Sequence, residues 1–368
     1  MAVFPDELGI IVYAPALVGD DRRPLAIVHG MEGAFLAYGW SGRSLKKKSS
    51  FVLSPGVVLH AAPELRASIP MNHSESTFLA GCAPFYDYCF VAKALDELSA
   101  KGLNNSTFLC FVDGGVEKVP TSVGWAAVAA ATVKPPGQQR VFVFIGAGRD
   151  MFEINTETLR QAEGELHQAR HALAALTAVN HVVLACGMGR EVLVRDGPAQ
   201  WRAIGPGPRP DDHGVVGFEG LHGFSLDELY AVGWQGEVWR GDVQGRWARI
   251  DSPTSANLNA VCCAADGQVY AVGDGGMLVR GRGDLWETVD TGRGETLQDV
   301  ADFGGEVFVV SDFHILRLLG DRLVPDDRFD GDARPGSCLR LLPAEDGLYS
   351  LGPKDLYLFR DGRWRSAI

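Results

Sequence analysis

The chain has 368 residues, 46% of them hydrophobic, with 34 Lys and Arg against 46 Asp and Glu, for a formal net charge of −12. That balance excludes nucleic acid as the main partner, because binding phosphates needs a basic face. No apolar run approaches the ~20 residues of a membrane helix, and the start at Met1 to Glu7 lacks a basic region followed by an apolar core, so no signal peptide is expected.

The first 110 residues are the least regular. Short runs at Ile10 to Tyr13, Leu25 to Val28, Ala34 to Tyr38, Phe51 to Leu53 and Val57 to His60 read as strands, and Pro63 to Ser76 as a polar loop. The one basic run, Lys46 to Lys48, reads as a solvated turn or edge strand. Phe78 to Cys82 and Tyr88 to Val91 form a hairpin, and Ala92 to Gly102 has the spacing of a short helix. Strands follow at Thr107 to Phe111, Trp125 to Val128 and Val141 to Ile145. Leu159, Ala162, Leu166 and Ala169 are spaced for one helix face. A long helix there would remove two strands from the repeat described next, so strands are expected instead. Seven Cys is an odd number, and Cys110, Cys186, Cys262 and Cys338 sit inside strand runs, which predicts buried reduced thiols.

From residue 182 onward one unit is written four times. Leu229 to Arg240 (LYAVGWQGEVWR) with Gly245 to Ile250 (GRWARI) returns as Val269 to Arg280 (VYAVGDGGMLVR) with Asp284 to Val289 (DLWETV). Val182 to Arg195 with Trp201 to Ile204 precedes them, and Leu348 to Arg360 with Gly362 to Ile368 closes the chain. Aligning Gly187, Gly233, Gly273, Ser311 and Gly352 gives steps of 46, 40, 38 and 41 residues. Trp201, Trp247, Trp286 and Trp364 follow their glycines by 12 to 14 residues, with Val324 in the degenerate copy. A period near forty made only of short strands marks propeller blades of four strands each. The innermost strands are expected at 215–218, 258–261, 297–300 and 339–342. The fold class is therefore all-β: one propeller domain over 1–368, with six regular blades in 115–368 and an irregular 1–112 supplying one or two more. Seven blades are expected, with eight the alternative.

These units resemble the YAVG-type propeller repeat of bacterial proteins, similar to that of photosystem II assembly-factor propellers. The match is good from His181 to Ile368 and weak before it. Single-domain propellers of this kind also resemble immunity proteins encoded beside Rhs or type VI secretion toxins. The resemblance specifies a fold and carries over no functional residue.

The residues themselves supply no catalytic signature. Asp87, Asp150, Asp274, Asp312 and Asp355 fall in turns; a ring of Asp could hold a hard cation, but Asp is an ordinary turn residue. Pro325 to Asp332 looks like a calcium loop until Arg328 occupies a ligand position and Ser337 the twelfth. The nine His form no HxH or HExxH arrangement, and no GxSxG or phosphate-binding loop occurs. Neither a catalytic residue, a metal nor a cofactor is therefore expected. Large or cationic side chains at the turns, Trp40, Phe85, Tyr86, Arg149, Arg190, Trp234, Phe313 and His314 together with Asp274, point to a protein-binding face. The expected function is a cytoplasmic, non-enzymatic immunity protein, monomeric alone, that binds a bacterial toxin domain, possibly a basic one. Two alternatives stand beside it: an assembly scaffold, and a glycosidase or lyase with carboxylates in the central funnel.

Overall fold

The computed structural model describes residues 75–112, 121–155, 161–210 and 212–368 in full, and the backbone alone of the strands within 11–52, of 115–120 and of 160. The chain divides into two compact units, Met1–Met71 and Asn72–Ile368. The first carries one antiparallel sheet of Ile11–Tyr13, Leu25–His29, Ala34–Ser41 and Ser44–Val52, paired in chain order, so that Lys46 to Lys48 fall on an edge strand.

The second unit contains seven four-stranded antiparallel sheets, each built from consecutive strands. They are blades 1 to 7, at 76–123, 127–165, 173–203, 218–250, 258–288, 297–325 and 340–366. The first strands of neighbouring blades touch in cyclic order, with blade 7 against blade 1. This unit is a seven-bladed β-propeller. Blade 1 draws its last strand from Gly115–Val123, beyond the irregular region where it was expected to end.

The repeat follows from close packing. A Cβ on Gly233 would lie 1.9 Å from the Gly217 carbonyl oxygen, and one on Gly273 1.9 Å from that of Asn257. In blades 3, 4, 5 and 7 the second strand therefore passes the entry to the first strand at a distance only glycine permits. Likewise a Cβ on Gly241 or Gly281 would strike the rings of Trp247 or Trp286, which lie across the third strand. The repeated Trp also reaches the blade before it. Trp201 Nε1 donates to Met151 Sδ at 3.3 Å, Trp247 Nε1 to the Ile204 carbonyl at 2.7 Å and Trp364 Nε1 to Asp326 Oδ2 at 2.9 Å.

Two expectations shift on the structure. Ala92 to Leu95 continue the strand Tyr88–Leu95, where Ala92 and Ala94 are buried, and only Asp96–Ala100 is helical. The first strand of blade 4 is Phe218–Ser225 rather than 215–218, and Val215 is 47% exposed. The apolar run misled because the true strand carries Gly220, whose Cβ would meet Ala260 Cα at 2.9 Å; next to the axis, space outweighs hydrophobicity. The segment with helical spacing folds as Arg160–Glu165 and Leu173–Val179, as the repeat required.

Among the described residues, ring closure involves no exchanged strand. Blade 1 and blade 7 are each complete, and backbone and side-chain bonds join them. Phe78 N–H donates to the Pro353 carbonyl at 2.8 Å, Glu345 N–H to that of Pro84 at 3.1 Å, and Tyr86 N–H to Asp346 Oδ1 at 2.9 Å. Lys354 Nζ reaches the Ser76 carbonyl at 2.8 Å and Asp96 at 2.5 Å, and the Tyr349 hydroxyl donates to the Tyr86 carbonyl. Three other seams carry ion pairs between blades: Arg195 with Glu153 at 2.8 Å, Arg282 with Glu228 at 2.7 Å and Arg280 with Asp321 at 3.0 Å. Between blades 1 and 2 the join is aromatic: Phe108 stacks on Phe152 at 4.2 Å and Phe90 packs on Phe142 at 4.8 Å.

Candidate binding face

An antiparallel blade has two ends. The turn between second and third strands lies at the end where the first strand starts; the turn between first and second strands lies at the other. This sorts the expected contact residues. Arg149, Arg190, Trp234, Asp274, Phe313 and His314 all occupy turns between second and third strands and share one end of the propeller. Phe85 and Tyr86 join the first two strands of blade 1 and lie at the opposite end. There they serve the ring: the Arg140 guanidinium sits 5.1 Å from the Phe85 ring, and that of Arg360 3.1 Å from the Tyr86 ring. Trp40 belongs to the strand Ala34–Ser41 of the first unit, and its side chain lies outside the described residues.

The side chains at the shared end differ in what they offer. Arg190 is 1% exposed. Its guanidinium is held by Glu237, with bonds of 2.7 and 2.5 Å, and by Asp212, with two of 2.6 Å, and it lies over the Trp239 ring at 5.1 Å. It locks blade 3 to blade 4 and is withdrawn from the surface. The Glu237 carboxylate raises its pKa, and Arg190 in turn holds Asp212 down to about 2. Trp234 is half-buried with its indole N–H donating to Glu219 at 2.5 Å. The Asp274 carboxylate accepts from Asn257 at 3.1 Å and Thr296 at 3.5 Å. Asp312 and Asp355 are engaged in the same way, by Gln298 and Ser337, both at 2.8 Å. The turn Asp residues therefore fasten turns to neighbouring strands. Phe313, by contrast, is 66% exposed, and its neighbour His314 and, in the turn of blade 2, Arg149 are exposed as well.

Sequence reasoning missed how unevenly apolar surface divides between the two ends. Of the large hydrophobic residues exposed among the described residues, Leu95, Leu103, Val215, Phe313 and Ile368 lie at this end. Leu285 and Leu319 lie at the other. No residue type signals this, because it depends on which turn each residue occupies.

The axis encloses a channel of about 360 Å³. Its wall is Ala-rich in blades 1 to 3, and blades 4 to 7 add Glu219, His222, Asn259, Asp299, Asp302 and Arg340 among apolar residues. The carboxylates there are engaged: Glu219 by Trp234, Asp299 by the N–H groups of Val300 and Leu341 at 2.8 and 2.9 Å, and Asp302 by that of Ala265 at 2.8 Å. Burial pushes Asp299 up and lowers His222 to about 4, while His222 Nδ1 accepts the Cys263 N–H at 3.0 Å. Burial also raises the thiols, Cys338 to about 11 and Cys262 to about 12, so neither is a ready thiolate. Among the described residues no three His, Cys, Asp or Glu side chains come together to hold a metal ion, and no helix is long and apolar enough to cross a membrane.

The chain matches no protein-family profile. It is 34% identical over 301 residues to the immune protein Tsi7 of Pseudomonas aeruginosa, an overlap of 78% of this chain and 95% of that protein. The chain belongs to the Tsi7 immune-protein family. Among solved structures, YCF48 bound to D1 peptide is 17% identical with a TM-score of 0.57, covering 77% of this chain and 91% of that one. YCF48 from Cyanidioschyzon merolae is 13% identical with the same TM-score, covering 78% and 96%. At that identity the YCF48 likeness shows the fold alone, whereas the Tsi7 relationship spans nearly the whole of that protein.

Proposed function

We infer that this chain is an immunity protein that binds a cognate bacterial toxin and neutralises it without catalysis. The observation that carries the reading is its kinship with Tsi7 across 95% of that immune protein's length. The engaged channel carboxylates and raised thiols favour binding over chemistry. Toxin and protector meet in the cytoplasm, and the chain acts there as a monomer. Its net charge of −12 would speed capture of a basic toxin by long-range attraction.

The docking site is the end of the propeller that carries Arg149, Trp234, Asp274, Phe313 and His314. A rigid ring presents this surface preformed, so little ordering entropy is lost on binding. Phe313 is its best anchor, because an exposed aromatic has area to bury and no part in the core. Phe313→Asp should weaken binding of the toxin domain encoded in the neighbouring gene by ~2 kcal/mol or more. Its melting temperature should match that of the unaltered chain. Trp234→Ala serves as the comparison, since a half-buried indole bonded to Glu219 contributes to stability as well. Full affinity in Phe313→Asp would move the site elsewhere on the ring.

A further inference from the structure

Resting on the immunity reading, we propose that Arg149 is a specificity anchor of this face and takes a carboxylate of the toxin. Arg149 closes the turn between the second and third strands of blade 2 with φ at 110°. A non-glycine residue rarely adopts this conformation, and such strain persists only where the surroundings enforce it. The enforcement is visible. The Arg149 carbonyl accepts the Leu166 N–H at 2.8 Å, and the Ala147 carbonyl accepts that of Leu173 at 3.1 Å. Two bonds, one from the segment linking blades 2 and 3 and one from the first residue of blade 3, thus pin the turn at the strained residue and two residues before it.

The strain has no structural beneficiary within the described residues. The Arg149 side chain is exposed, and its guanidinium has no hydrogen bond or ion pair there. The corresponding residue of blade 3, Arg190, is also left-handed at φ 57°, but its guanidinium closes a buried seam. The two turns therefore separate a structural arginine from an outward one. Arg170, exposed on the pinning segment, adds a second cation close by. The Glu191 carboxylate accepts the Arg170 and His171 N–H groups at 2.6 and 3.2 Å. A planar guanidinium held outward in this way matches a carboxylate through two parallel hydrogen bonds. On an otherwise acidic protein it fixes the register of a partner that long-range attraction has already delivered.

The test is titration of the purified neighbouring-gene toxin domain into the chain and two variants. Arg149→Gly relieves the strained φ, so its melting temperature should hold or rise while affinity falls at least tenfold. Arg149→Glu should fall further, by a hundredfold or more. Unchanged affinity in Arg149→Gly would overturn the assignment, and Arg149→Glu binding as well as Arg149→Gly would overturn the carboxylate. Failure of the unaltered chain to bind the toxin would instead sink the immunity reading on which the assignment rests.

Discussion

Arg190→Met will lower the unfolding free energy by about 3–5 kcal/mol, because it leaves buried charge without its partner. Glu237, with a side chain 4% exposed, would then face the interior with no counter-ion, and the contact with the Trp239 ring would go as well. Adding Glu237→Leu should recover a large part of the loss, since a well-packed apolar pair often replaces a buried ion pair at no cost. Chemical denaturation of the three proteins measures this directly. A loss below ~1 kcal/mol in the single variant, the level of an exposed pair, would show that the seam between blades 3 and 4 does not depend on the triad.

The same contact sets an acid limb. Asp212 is held at about 2 by Arg190, against about 3.9 for an unfolded aspartate. As pH falls, the unfolded chain takes up its proton first. This contribution is therefore fully present above about pH 4 and is lost as pH falls toward about 2. In Arg190→Met that part of the acid dependence should disappear.

The second large effect concerns the glycine of the repeat. Gly273→Ala should destabilise by about 3 kcal/mol or more, at the upper end of overpacking costs. The new methyl group would sit 1.9 Å from the Asn257 carbonyl oxygen and 2.9 Å from Leu258 Cα, both backbone atoms that cannot turn aside. Ser311 occupies the matching position of blade 6, where the turn is one residue shorter: Ser311 N–H bonds to the His314 carbonyl, whereas Gly273 N–H bonds to that of Met277. Ser311→Gly should accordingly change stability by no more than ~1 kcal/mol. A thermal melt of Gly273→Ala within a few degrees of the unaltered chain would contradict the close-approach account.

These two sites mark what could and could not be read from the residues alone. Gly273 was legible because its constraint is local and recurs in blades 3, 4, 5 and 7, as does the Trp of those blades. Arg190 was not. Beside Arg149 it looks like another turn arginine, and its burial depends on Asp212 and Glu237, 22 and 47 residues away. The place of Tyr86 escaped for a related reason. Its ring belongs to the closure of blade 1 on blade 7, a contact across more than 260 residues that no periodicity encodes. The first strand of blade 4 escaped because Glu219, Gly220, His222 and Gly223 leave it no apolar run. Phe313 was expected as a contact residue by type, whereas its standing as the most exposed aromatic among the described residues depends on a turn that projects it from the ring.

The central claim is that this propeller protects against a toxin through the end that carries Arg149 and Phe313. It is tested most directly by survival of cells expressing the neighbouring-gene toxin domain together with the chain or its variants. The unaltered chain should protect, as should Leu285→Asp at the opposite end. Arg149→Glu combined with Phe313→Asp should fold normally and fail to protect. Death of cells carrying the unaltered chain, or full protection by the double variant, would contradict the account.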